Sequence, residues 1–156
     1  MQYLFTTSDQ AELPESASEH QFNADAVRHV RTLTGLAGLS RIGIHVVRLE
    51  TGCDSTELHS HDNDEEFLVV LQGKGIATIG DDTFDVATGD IMAFPCGSPP
   101  HKLHNPNAED LVYLMGGEKN DNDVVHYPRL QRSMVKSAGK RYWSDWVDQN
   151  DLPPKF

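Results

Sequence analysis

The sequence predicts an all-β domain, a β-sandwich or small barrel, and three observations carry that expectation. Between residues 41 and 118, short runs of β-branched and aromatic residues alternate at even spacing with Gly, Asp, Asn and Pro turn signals. One run, Phe67-Leu68-Val69-Val70-Leu71, has no polar alternation. Both its faces therefore need cover, from a second sheet, a terminal arm or a partner chain. The chain has 156 residues, room for one ordinary domain with a real core and none for a second.

Taken in order, residues 1–40 are weakly patterned and read as an N-terminal arm. Within them Asn23 is a possible helix cap, with Ala26, Val27, Val30 and Leu33 on one face. The same residues fit an arm strand, which is preferred because Val27, Val30 and Thr32 favour extended backbone. The β zone, 41–118, opens with Ile42 to Leu49, rich in β-branched residues. Phe67 to Leu71 ends at Gly73-Lys74-Gly75, and Ile76 to Ile79 at the turn Gly80-Asp81-Asp82. Thr83 to Val86 leads to Thr88-Gly89-Asp90 and then Ile91 to Phe94. His101 to Asn105 precedes the turn Pro106-Asn107, and Leu111 to Met115 closes the zone. Such spacing belongs to sandwiches and barrels. Residues 119–156 are polar and read as a C-terminal arm packing on the barrel or on a partner chain. Its cluster Tyr142, Trp143 and Trp146 reads as a hydrophobic anchor rather than a stacking platform for a sugar.

Charge and composition narrow the function. Lys and Arg number 13 against 24 Asp and Glu, for a net charge of −11. No run of basic residues exists to track a phosphate backbone or an anionic membrane surface, so neither nucleic acid nor membrane is an expected partner. No stretch approaches the roughly 20 apolar residues of a membrane helix. Met1 to Gln10 lacks the basic and apolar regions of a signal peptide. Cys53 and Cys96 make neither a disulfide framework nor a Cys-x-x-Cys pair. The expectation is a cytoplasmic protein with reduced thiols that pack as small hydrophobes.

Two segments carry chemistry. Gly52 to Phe67 contains His59 and His61, two apart, so on a strand both imidazoles share a face. A chain reversal after His61 brings a Glu side chain back beside them. Gly89 to Asn105 contains Pro95, Gly97, His101 and Asn105; His101, Leu103 and Asn105 share a face, while Lys102 and His104 point the other way. Three neutral imidazoles and one carboxylate suit a divalent ion such as Mn, Fe, Ni, Co or Zn. Four protein ligands leave two positions of an octahedron for water or substrate, the mark of a catalytic site.

These segments resemble the paired motifs of the cupin superfamily. The first is matched by Gly52, His59, His61, Glu66 and Gly73, the second by Gly89, Pro95, Gly97, His101 and Asn105. The spacers after Gly52 and after Gly97 are each one residue longer than usual, which leaves His104 as a rival to His101. His101 is preferred because it keeps the three-residue gap to Asn105, and Glu66 is preferred over Glu65 because it keeps the six-residue gap to Gly73. The resemblance runs from about Gly35 to Pro128 and is closest to single-domain bacterial cupins. It implies a double-stranded β-helix, the jelly-roll barrel, with one divalent metal ion held by His59, His61, Glu66 and His101. It also implies a homodimer, in keeping with the doubly apolar strand.

The fold hosts many chemistries, so it does not choose one. The leading expectation is a metal-dependent enzyme on a small polar metabolite, a sugar or oxo acid, of isomerase, epimerase or dioxygenase type. The rival is a non-catalytic binding or sensor cupin. A phosphorylated substrate is disfavoured, because Lys102 points away from the face of His101 and the motif flanks are acidic. Asp54, Glu57, Asp62, Asp64 and Glu65 read as a solvated loop. Asn105 reads equally as a turn residue and as a support for the ligands. His20, His29, His45 and His126 read as surface or packing histidines.

Overall fold

The computed structural model describes residues 1–146. After a short helix, α1 (Thr7–Glu12), the chain forms β1 (Ser16–His20), β2 (Asn23–Thr32), β3 (Ile42–Leu49), β4 (Ser60–His61), β5 (Glu66–Gln72) and β6 (Lys74–Ile79). It continues through β7 (Asp82–Ala87), β8 (Ile91–Phe94), β9 (His101–His104), β10 (Leu111–Glu118), β11 (Asp123–Tyr127), β12 (Arg132–Ser137) and β13 (Lys140–Asp145). All pairings are antiparallel. None of the described helices is long and apolar enough to cross a membrane.

Two layers result. One is a six-stranded sheet in the order β1-β2-β3-β10-β5-β8. The other combines a four-stranded sheet, β13-β12-β11-β4, with a three-stranded sheet, β7-β6-β9. A backbone bridge between His59 and His101 joins the two halves of that second layer. Strand parity turns Val47 and Leu49 of β3, Leu68 and Val70 of β5, and Leu111 and Tyr113 of β10 inward, where they meet Ala77, Val86, Met92, Phe94 and Leu103. Burying each large apolar side chain of this set contributes about 1.5–3 kcal/mol. A satellite cluster of Val125, Tyr127 and Met134 lies under β11 and β12.

The terminal segments extend these sheets. Residues 23–32 form a strand, as preferred over a helix, because Val30 pairs with Val47 and its side chain joins the core. Glu15 ties the incoming chain down through Arg48 and Arg31, and the Arg48 guanidinium holds the Glu15 carboxyl below its usual range. On the other side, β11, β12 and β13 complete the second layer; the rest of the expected C-terminal arm, residues 147–156, lies outside the described residues. The run at β5 has one face in the core, whereas Phe67 and Leu71 on its outer face are exposed, as is Ile91 on neighbouring β8.

Gly73, which closes the first motif, is required by its backbone. Its φ is +88°, and a Cβ there would lie 2.5 Å from the Asp110 carbonyl oxygen. Both the left-handed conformation and the rigid backbone neighbour exclude a side chain. Gly73→Ala is expected to cost more than about 1 kcal/mol. The check is a lower urea midpoint at unchanged slope; an unchanged midpoint would refute the steric account.

Candidate metal centre

The site forms at the seam of the second layer. His101 N–H donates to the His59 carbonyl at 2.7 Å and His59 N–H to the His101 carbonyl at 3.3 Å. This bridge sets the two rings side by side, with centroids 4.8 Å apart, and His61 turns its ring to the same place, 5.0 Å from His59. Glu66 enters from the opposite sheet at the start of β5. Its Oε2 lies 3.3 Å from His101 Nε2, 3.5 Å from His61 Nε2 and 3.8 Å from His59 Nε2. His59, His61 and Glu66 each offer a donor atom within 4.8 Å of the others, and His101 reaches this group through Glu66.

The hydrogen bonds on the far side of the rings decide what faces Glu66. His61 Nδ1–H donates to Asp123 Oδ2 at 2.7 Å and His59 Nδ1–H donates to the Glu57 carbonyl at 3.0 Å. Each neutral ring then presents a lone pair at Nε2. His61 Nε2 is buried with no hydrogen-bond partner. Lone pairs facing a carboxylate repel, and a cation between them removes the conflict. Ligands at right angles on one ion, each about 2.1 Å from it, sit about 3 Å apart. The carboxylate–imidazole separations are longer than this, so the donor chemistry fits a first-row divalent ion, with the imidazoles drawn in toward Glu66 and His101 moving furthest to join His59 and His61.

Burial pushes the Glu66 carboxyl up, but the His101 and His59 rings, when they carry a proton at Nε2, outweigh burial and hold it far below its ordinary range; a cation in place of those protons acts in the same direction. Burial lowers the pKa of His101, which keeps that ring neutral. The ring stacks on Phe94 with centroids 3.5 Å apart, fixing its plane. Asp123 is wholly buried; burial pushes its carboxyl up, but His61 and the Asn63 N–H outweigh it and bring it down to about 2. His61, Asp64 and Asp123 form a second cluster of ligand types. There Lys136 Nζ lies 2.6 Å from Asp64 and 3.1 Å from Asp123, so an ammonium already bridges the two carboxylates.

The rivals sit elsewhere. His104 turns to the other side of β9, its Nδ1 2.9 Å from Asp54 Oδ1. Glu65 is exposed. Asn105 is wholly buried and donates to the carbonyls of Leu49 and Glu109, which holds the turn before β10.

Three readings of the sequence are corrected. The acidic flank is not a solvated loop throughout, since Asp54, Glu57 and Asp64 are buried. Each has a partner: Lys102 for Asp54, the Asn23 amide for Glu57 and Lys136 for Asp64. Cys53 is half-buried against the core as a small hydrophobe, but Cys96 is exposed. Basic side chains do line the cavity, which measures about 390 Å³: Arg28 comes from β2, Lys102 from β9, Lys136 from β12 and Arg141 from β13. Lys102 alone lies within the two motifs; the other three stand on strands that only sheet pairing brings to the cavity. His20, Tyr127 and Trp143 were missed as cavity residues for the same reason. Trp143 packs against Phe22 and Tyr127, and Trp146 Nε1 donates to Ser133 Oγ, so both anchor β13.

A jelly-roll barrel with a three-imidazole, one-carboxylate cluster at its seam defines the class, and the chain belongs to the cupin superfamily; the family model described as "Cupin domain" matches residues 45–117. A crystal structure from Acidithiobacillus ferrooxidans, of a protein provisionally named a sugar phosphate isomerase, superposes with a TM-score of 0.88 at 34% identity, covering 98% of this chain and 96% of that one. A Silicibacter pomeroyi cupin named a sugar phosphate isomerase superposes at 0.77 with 24% identity, over 92% and 90% of the two chains, which shows the shared fold. An uncharacterized protein of Methanocaldococcus jannaschii is 38% identical over 50 residues, 32% of this chain and 39% of that protein. The match thus spans well under half of that relative.

Proposed function

We propose that this protein is a metal-dependent enzyme of isomerase type acting on a small polar metabolite, a sugar or oxo acid. His59, His61, Glu66 and His101 hold one divalent ion drawn from Mn, Fe, Ni, Co and Zn. The observation that carries this reading is the convergence of three imidazole nitrogens on one carboxylate oxygen inside a substrate-sized cavity. Such an ion, when bound, acts as a Lewis acid that polarises a carbonyl and acidifies the adjacent C–H. The name of the Acidithiobacillus ferrooxidans relative supports isomerisation over oxygen chemistry.

The chain's own groups have parts in this. His20 lies in the same cavity, and burial lowers its pKa, so the ring is neutral near pH 7. Its Nδ1 accepts the Phe22 N–H at 3.3 Å, which places the ring proton on Nε2, ready to donate to a substrate oxygen. Burial pushes the Tyr127 hydroxyl up to about 12, so it too stays a donor. Phe22 and Trp143, edge to face at 4.9 Å, pack the β1–β2 turn onto β13 at the cavity. A donor within the cavity favours an enzyme over a sensor. The same reading assigns the uncovered outer face of β5 to a second copy of the chain, and the protein to the cytoplasm.

The test has two parts. Protein purified without added metal is expected to hold about one first-row ion per chain. Incubated in D₂O with a panel of aldoses, sugar phosphates and 2-oxo acids, it is expected to introduce deuterium at carbon, and chelation is expected to stop this. A chain that stays metal-free after incubation with Mn, Fe, Ni and Zn removes the enzyme reading. Metal-loaded protein that binds panel members without exchange makes it a sensor.

A further inference from the structure

Two groups in the cavity are left without partners by everything described so far. Of its basic side chains, Lys102 is paired with Asp54, and Lys136 with Asp64 and Asp123. Arg28 has no carboxylate within ion-pair distance among the described residues, although it is only partly exposed and lines the cavity. It faces inward because Ala26, Arg28 and Val30 alternate on β2, and Val30 is fixed against the core by its pairing with Val47. An inward guanidinium without a counter-charge is costly, since it gives up water and gains no acceptor.

The second group is Tyr113 on β10. The residue is wholly buried and lines the same cavity, and its hydroxyl makes no hydrogen bond. Arg28 and Ser55 lie beside it without reaching hydrogen-bonding geometry, and the Ser55 hydroxyl is already used as acceptor for the Leu103 N–H at 2.9 Å. Burial pushes the Tyr113 hydroxyl up to about 12, so it remains a proton donor. A phenylalanine would fill the same space without an unsatisfied oxygen. Two adjacent donors, one cationic, with no acceptor between them, are complementary to an oxyanion.

We infer that Arg28 and Tyr113 form an oxyanion subsite that takes the carboxylate or phosphate group of the substrate. The subsite rests on the reading of this cavity as the substrate pocket, and it narrows the substrate class to anionic metabolites. Arg28 supplies charge and a planar pair of N–H donors; the phenol supplies a third donor. The overall charge of −11 does not oppose this, because the carboxylates nearest the cavity cations Lys102 and Lys136 are already paired with them.

The experiment compares three probes that share one carbon skeleton: glycerol, glycerate and glycerol 3-phosphate. Their binding is measured by calorimetry on the full chain, metal-loaded and after chelation. At least one anion is expected to bind about tenfold or more tighter than glycerol. Preference for glycerate assigns a carboxylate, and preference for glycerol 3-phosphate a phosphate. Arg28→Gln is expected to remove about tenfold of that affinity and to leave metal content unchanged. Tyr113→Phe is expected to weaken the anion several-fold without lowering the melting temperature, because it deletes a buried hydroxyl that the free protein leaves unpaired. This second variant decides the matter even where Arg28→Gln folds poorly. Full anion affinity in either variant, or anions bound no better than glycerol, overturns the subsite. An Arg28-dependent anion preference in protein that takes up no metal keeps the subsite and defeats the metal-dependent enzyme instead.

Discussion

His101→Ala is expected to reduce bound divalent metal from about one ion per chain to less than about a tenth of that, because three remaining donors without the ring opposite His59 form a far weaker site. His104→Ala is expected to leave metal content unchanged. The contrast follows from alternation on β9: the His101 ring lies 3.3 Å from Glu66, whereas the His104 ring lies on the other side, against Asp54. Glu66→Gln is expected to weaken the site strongly and Glu65→Gln to spare it, since Glu65 is exposed. Elemental analysis of the four variants, each checked for folding, makes the test. A metal-free His104→Ala beside a metal-loaded His101→Ala would mean that the site lies on the other face of β9.

Asp123→Ala is expected to be the most damaging single change away from the donors themselves. Asp123 accepts from His61 Nδ1 at 2.7 Å and the Asn63 N–H at 3.0 Å, and Lys136 Nζ sits 3.1 Å away. Removing the carboxylate leaves a buried imidazole N–H and an ammonium short of acceptors, a loss of about 3 kcal/mol or more. For a chain of this length that corresponds to a fall of roughly 6–12 °C in melting temperature. The lost orientation of His61 is expected to weaken metal affinity about 10- to 100-fold. Asp123→Asn keeps an acceptor oxygen and is expected to fall between. Thermal denaturation of the metal-free proteins reads the first effect and metal titration the second; a melting temperature within about 2 °C of wild type would refute the stability role, and an unchanged metal affinity would refute the orienting role.

Much of the architecture was legible because it depends on local pattern. Even spacing of short apolar runs and turn signals marks strands, the unalternating Phe67 to Leu71 among them, found as β5 between β10 and β8. The candidate site was legible because parity on a strand is a period of two. It puts His59 with His61, and separates His101 from His104, without knowledge of any distant contact. Gly73 was legible as a turn signal after Leu71 and as the last position of the first motif, and its left-handed backbone supplies the reason.

What the chain's local pattern did not disclose is what lies next to a charge. Asp54, Glu57 and Asp64 read as an exposed acidic stretch, yet each is buried against a group 34 to 72 positions away: Asn23 for Glu57, Lys102 for Asp54 and Lys136 for Asp64. Asp123 gave no signal of its partnership with His61 because 62 positions separate them.

By itself, then, the sequence determined the β class, the strands, the shared face of His59 and His61 and the opposite faces of His101 and His104, because steric alternation and turn chemistry act between near neighbours, while the choice of Glu66 came from the motif spacing of the cupin resemblance. The tertiary structure alone decided that β2, β12 and β13 line the cavity, that two lysines there are already paired with carboxylates, and that Arg28 and the Tyr113 hydroxyl have no partner among the described residues. The physical reason is that the cost of a buried charge or hydroxyl depends on which partners reach it in space, and sheet pairing over long sequence separations sets those partners.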